Sequence, residues 1–125
     1  MSKLLLVGIG GFLGASCRFI VVDLINRNIQ KPLIPFGTFT VNMLGCFMIG
    51  LLNGLAETRQ IFTPEIRMLL FVGFLGSFTT FSTFGYETLT LTKEGDLLSG
   101  GLNILAHLLV GLPLVWLGGV SSRLL

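Results

Sequence analysis

Charge is what this 125-residue chain has least of: Asp, Glu, Lys and Arg together make up 11% of it. An ordinary soluble domain carries roughly a quarter. Histidine occurs once, at position 107, and cysteine twice. A lone His107 with no second histidine, no cysteine pair and no clustered carboxylates leaves a transition-metal site short of ligands. Cys17 and Cys46 both fall inside apolar runs. A disulfide framework, which needs paired cysteines in an oxidising aqueous setting, is therefore not expected, and two small apolar-like side chains are. No glycine-rich phosphate loop follows a strand pattern, and no basic patch fits nucleic acid. No nucleophile–base spacing is visible either: Ser82 and His107 are compatible types, but nothing in their separation argues that they meet.

What the chain does have is apolar length. Apolar residues make up 52% of it, and a hydrocarbon span takes roughly 20 of them in a row. Four such runs are present: Leu4–Ile25, Phe36–Ala56, Ile66–Leu91 and Leu97–Val120. They leave almost nothing for a soluble unit, so the expectation is an all-α membrane protein, one domain over 1–125, with four spans and short loops. Lys31-Pro32 and Ile34-Pro35 block helix continuation in the first loop. Thr63-Pro64-Glu65 reads as an N-cap, a proline at the first helical position and an acid in the first turn. Gly95 is a stop signal, and Asp96 is placed to cap the fourth span. Lys3 ahead of an apolar run resembles a secretory leader, but Arg18 and the resumed run Phe19-Ile-Val-Val22 argue against processing.

Three short loops make neighbouring spans antiparallel and put both termini on one side. Lys3, Arg59, Arg67 and Arg123 lie on that side; Arg27, Lys31 and Lys93 lie on the other, with Arg18 inside a span. Lys and Arg set orientation, and so small a bias fits insertion both ways, hence an antiparallel homodimer; a single orientation fixed by the insertion machinery fits it equally. Gly10 with Gly14, and Gly50 with Gly54, are small-residue pairs that let helix backbones approach. Four helices enclose little space alone, so a pore of this size calls for an oligomer.

The most informative stretch is Gly73-Phe-Leu-Gly-Ser-Phe-Thr-Thr-Phe-Ser-Thr-Phe84. Irregular, hydroxyl-rich backbone at membrane depth is tolerated only where protein or a cavity surrounds it. A third helix broken between Gly76 and Thr80 would turn freed carbonyls toward the midplane, where they suit a monovalent hard cation. Phe71, Phe74, Phe78 and Phe81 follow helical spacing. They form either a packing or lipid-facing stripe or, since the edge of an aromatic ring is positive, a lining that an anion passes without being trapped. Thr80, Ser82 and Thr83 offer hydroxyl donors on the same helix. Asn42, about a turn into the second span, is either an interhelical bond or a donor to an anion. Arg18 either snorkels or supplies a positive vestibule field. Glu87 pairs with a cation or lines the same path, and Asp23 is interfacial.

Gly73-Phe-Leu-Gly76-Ser-Phe-Thr79-Thr80-Phe81-Ser82-Thr83-Phe84, ending in Glu87, resembles the third-helix signature of the CrcB/Fluc fluoride channel family. Gly10-Gly-Phe-Leu-Gly14 with Arg18-Phe19 resembles its first helix, and Gly37-Thr38 with Val41-Asn42-x-x-Gly45 its second. The resemblance covers nearly the whole chain. It implies a dual-topology antiparallel homodimer with two pores that exports fluoride passively across the cell membrane. It further implies Phe81 and Phe84 as pore rings, Asn42 as the pore amide, Ser82 and Thr83 as the polar track beside them, and Arg18 as the vestibule cation. Gly76 and Thr79 would hold a structural sodium ion by their backbone carbonyls. The fourth helix departs, with His107 where relatives often carry Tyr or Asn and Gly111 where many carry Ser. That departure leaves room for one subunit of a heterodimeric fluoride channel, although Asn42, Phe81 and Phe84 are all intact. The main rival is a small multidrug-resistance-type exporter. It needs a carboxylate deep in the first span, and the first span has none before Asp23. A non-transporting assembly subunit is opposed by Asn42 and the hydroxyl run.

Overall fold

The computed structural model describes residues 2–29, 32–59 and 61–125; Lys31, which figures in the first-loop and charge arguments above, lies outside them. Among the described residues every element is helical. They are α1 (Ser2–Asn28), α2 (Phe36–Arg59), α3 (Pro64–Arg67), a π-helical stretch (Met68–Leu75), α4 (Gly76–Phe78), α5 (Phe81–Lys93) and α6 (Leu97–Ser121). Four spans are long and apolar enough to cross a membrane, with α3 through α5 together making the third, Pro64–Lys93. Helices run past the apolar runs at both ends of α1 and at the end of α2, because the flanking polar residues are ordinary helix formers that extend a hydrogen-bonded ladder once it exists.

The ends are set by local chemistry. Thr63 caps α3, its side chain accepting from the Ile66 N–H at 3.3 Å with Pro64 at the first position. Asp96 caps α6 through the Ser99 N–H at 2.9 Å. Between them Gly95 turns the chain at φ +87°, a conformation that costs a residue with a Cβ but not glycine.

Small residues position the spans. α2 packs most extensively on α6, and α1 on the π-helical stretch. Both glycine pairs are spent inside the protomer. A Cβ on Gly10 would fall on the Leu69 carbonyl and one on Gly14 on the Phe74 carbonyl. A Cβ on Gly50 would fall on the Val115 carbonyl and one on Gly118 on the Phe47 carbonyl. Few large apolar side chains are buried, Val41, Leu75 and Phe78 among them, while Phe12, Phe19, Leu109 and Trp116 are exposed. That inversion of the soluble pattern is what a lipid environment permits. Cys17 and Cys46 are free thiols.

Candidate functional site

The site is built around two residues in the third span. Thr79 (φ −89°, ψ 160°) and Thr80 (φ −151°, ψ 111°) are extended, between helix ending at Phe78 and helix beginning at Phe81. Helical geometry persists through Gly76-Ser77-Phe78, where the Ser77 hydroxyl donates back to the Gly73 carbonyl at 2.8 Å. In a continuous helix the Thr80 N–H would close on the Gly76 carbonyl. Here it donates to Asn42 Oδ1 at 2.8 Å, so the Gly76 carbonyl lacks its helical donor. The Thr80 carbonyl accepts from Asn42 Nδ2 at 3.1 Å. One amide side chain thus takes both backbone groups of the extended residue, and this pairing fixes the amide's orientation without ambiguity. Thr80 also caps α5, its hydroxyl accepting from the Thr83 N–H at 3.2 Å. Gly45, on α2 a turn beyond Asn42, makes room: a Cβ there would fall on the Thr79 methyl group.

A second polar chain runs from Asn42 into α6. Asn42 Nδ2 lies 3.2 Å from His107 Nε2, and His107 Nδ1 lies 2.9 Å from the Asn103 carbonyl. A carbonyl only accepts, so Nδ1 carries the proton and Nε2 of the neutral ring accepts from Asn42. The fully buried Asn103 side chain donates to Thr88 Oγ1 at 2.8 Å, and Thr88 donates to the Phe84 carbonyl at 2.7 Å. Asn103 escaped the sequence reading; its signal was an amide one helical turn from His107 in an apolar span.

Asn42, Cys46, Thr79, Thr80, Phe71, Phe81, Phe84 and His107 line one open cavity of about 450 Å³. The Phe84 ring sits 4.3 Å from the His107 ring and 5.5 Å from Phe81, and Phe39 meets His107 edge-on at 5.3 Å. Phe81 is 82% exposed in the single protomer. The phenylalanines do not form one stripe. Phe71, Phe81 and Phe84 share the cavity, whereas Phe74 stacks on Phe78, which is buried. The π-helical turn and the two extended residues reset the helical register that the spacing argument assumed constant.

The remaining candidates divide. Thr83 Oγ1 accepts from Thr80 Oγ1 at 2.9 Å and keeps its own proton for another acceptor; Ser82 Oγ lies 3.3 Å from the same Thr80 hydroxyl. Ser82 and Thr83 are both exposed, and Ser82 is not a partner of His107. Arg18 is half-buried, and its Nη1 donates to the Thr79 carbonyl at 3.4 Å. It does not pair with Asp23, which forms an exposed 2.8 Å bridge with Arg27, the one salt bridge among the described residues. Glu87 Oε1 accepts from Thr38 Oγ1 at 2.8 Å while Oε2 is buried without a partner; Glu87 opens on a separate pocket with Asn26 and Leu91. Among the described residues no group of three or more His, Cys, Asp or Glu side chains is placed to hold a metal.

Residues 5–119 match the family described as CrcB-like protein, Camphor Resistance (CrcB). The chain is 44% identical over 118 residues to the fluoride-specific ion channel FluC of Methylobacillus flagellatus, covering 94% of this chain and 92% of that one. It is 40% identical over 127 residues to the protein of that name from Geotalea daltonii, covering 98% of each. With the one from Nitratidesulfovibrio vulgaris it shares 42% over 124 residues, covering 99% of each.

Proposed function

This chain belongs to the CrcB family, and from that premise we propose that it is a passive, fluoride-selective channel that lets fluoride out of the cytoplasm. It is a multi-pass protein of the cell membrane and not an enzyme. The observation that carries the reading is the cavity at Thr79–Thr80, where the Asn42 amide and the Phe81 and Phe84 rings meet in otherwise apolar surroundings, with the Thr83 hydroxyl bonded to Thr80 beside it. Fluoride is small and accepts hydrogen bonds strongly. It sheds water stepwise against the Thr83 and Ser82 hydroxyls and the Asn42 amide, and passes the edges of Phe81 and Phe84, which attract without trapping. Arg18 adds a positive field at the approach. Chloride is disfavoured by its larger size and its weaker hydrogen bonding to these donors.

The working form is an antiparallel dual-topology homodimer with two pores. Its support is the near-balance of Lys and Arg across the loops, together with the exposed Phe81 ring, which is available to a second copy. A central sodium ion fits the carbonyls present. The Gly76 oxygen lacks its helical donor, the Thr79 carbonyl keeps a second lone pair beside the one that accepts from Arg18, and hard oxygen donors suit a hard monovalent cation. One chain supplies two such oxygens and a second copy the rest; the ion would fix the two third spans against each other.

The test is fluoride efflux from liposomes holding the purified protein, with valinomycin clamping charge. Fast fluoride efflux, absent for chloride and lost when Phe81→Ile and Phe84→Ile are combined, is the expected result. Equal chloride efflux, or fluoride efflux indifferent to the double change, would overturn it.

A further inference from the structure

We infer that His107 and fluoride compete for the same donor, so that the anion site opens when His107 takes up a proton. This rests on the channel reading and adds a residue to it. Both N–H groups of the Asn42 amide are engaged, one with the Thr80 carbonyl and one with His107 Nε2, while Oδ1 accepts from the Thr80 N–H. With the ring neutral, the cavity presents an acceptor where an anion needs a donor. Protonation turns Nε2 into an N–H. That N–H opposes the Asn42 N–H it formerly bonded, and two donors facing each other across the cavity wall are satisfied by an acceptor between them. The proton also brings positive charge beside the anion in a poorly solvated place, where an unpaired ion is costly. Nδ1 needs no change, since it donates to the Asn103 carbonyl in both states. Phe84 and Phe39, packed on the ring, hold it in place through the exchange.

The other titratable or charged groups near this wall are few. On α2 the Cys46 thiol lines the same cavity. On α5 Glu87 lies a turn beyond Phe84 but bonds Thr38 and opens on another pocket. On α1 Arg18 reaches the Thr79 carbonyl. Within α6 itself His107 is the one titratable side chain.

Because His107 is the single histidine of the chain, its ring nitrogens report without assignment ambiguity. The experiment is nitrogen-15 NMR of histidine-labelled protein in lipid nanodiscs, titrated with pH in sodium fluoride and in sodium chloride. Binding that takes up a proton moves the titration midpoint upward. The expected result is a midpoint about one pH unit higher in fluoride than in chloride, equivalent to tenfold tighter anion binding to the protonated ring. The difference should vanish in Asn42→Ala. In liposomes, efflux above the protein-free background rises on acidification in the native chain and in Glu87→Gln, whatever the latter's absolute rate, and is flat in His107→Gln. Fluoride efflux with a midpoint identical in the two salts would overturn this inference and leave the channel reading standing. Absence of both efflux and any fluoride-dependent spectral change would overturn the two together.

Discussion

The seam between α2 and α6 and the extended pair Thr79–Thr80 are held by opposite means. At the seam, Gly50 and Gly118 bring backbone onto backbone, each glycine lying against a carbonyl of the other helix. Such a contact is steric and cannot be exchanged for another. At Thr79–Thr80 the chain leaves helical geometry, and side chains from other spans take up its backbone groups: Asn42 from α2 and Arg18 from α1. Each of the Asn42 bonds is worth about 1 kcal/mol net and the charged Arg18 bond about 1.5 kcal/mol or more, and each can be traded for a bond to something else. The rigid contacts therefore sit where the scaffold is set, and the exchangeable ones where an ion is proposed to pass.

The largest expected effect breaks the rigid side. Gly118→Ala puts a methyl group onto the Phe47 carbonyl and against the Leu51 N–H. Neither is a side chain that can rotate away, so α6 must shift bodily, at a cost of about 3 kcal/mol, the upper end of the overpacking range. Gly101→Ala, on the same helix with open space around its Cβ position, removes helix-unfriendly backbone freedom and stabilises by about 0.5–1 kcal/mol. Thermal melting of the two variants, followed by size-exclusion recovery from detergent, should move in opposite directions. A drop for both would mean that the seam is no tighter than the rest of α6.

The two sides were unequally legible in the sequence. The pairs Gly10–Gly14 and Gly50–Gly54 announce close packing because small residues four apart form a groove, and both are packed within the protomer. Their partners were not legible, since contact between spans depends on the rotation of each helix. Thr63, Gly95 and Asp96 were read correctly as terminal signals because a cap acts within three or four residues. In the site, Asn42 and the hydroxyl run stood out as polar groups in apolar spans. That Asn42 bonds the Thr80 backbone, and that His107 shares its amide, is tertiary information with no local signature. The phenylalanine stripe misled for a definite reason: a period argument fails where a π-helical stretch and two extended residues intervene between Phe71 and Phe81.

A smaller effect sharpens the exchangeable side. Asn42→Ala removes both partners of the Thr80 backbone, and Thr80 is only 9% exposed. A buried polar group left unpaired costs about 1–3 kcal/mol. The expected loss is about 2 kcal/mol of local stability, read as faster amide exchange at Thr80 and at Thr83, whose N–H bonds the Thr80 hydroxyl, together with loss of fluoride efflux. Exchange confined to those residues would keep the seam independent of the site. Exchange spreading through α6 would show that the two regions fold as one unit and undo the contrast.

The smallest effect lies outside both regions and calibrates them. Asp96 caps α6 from the loop. Hydrogen bonds from the Ser99 hydroxyl and the Ser99 N–H hold its carboxyl below the ordinary carboxylate value. A group whose folded value is depressed adds stability above its unfolded value, and loses it as pH falls through the folded one. Acidification below the normal carboxylate range should therefore lower the melting temperature slightly. Asp96→Asn, whose amide oxygen still accepts from the Ser99 N–H but does not titrate, should lose less over the same interval. Because the carboxylate is exposed, salt screens any through-space part and leaves the hydrogen bonds; the difference between the two proteins should then persist at high ionic strength. An equal fall in both would assign the acid sensitivity to a group other than Asp96.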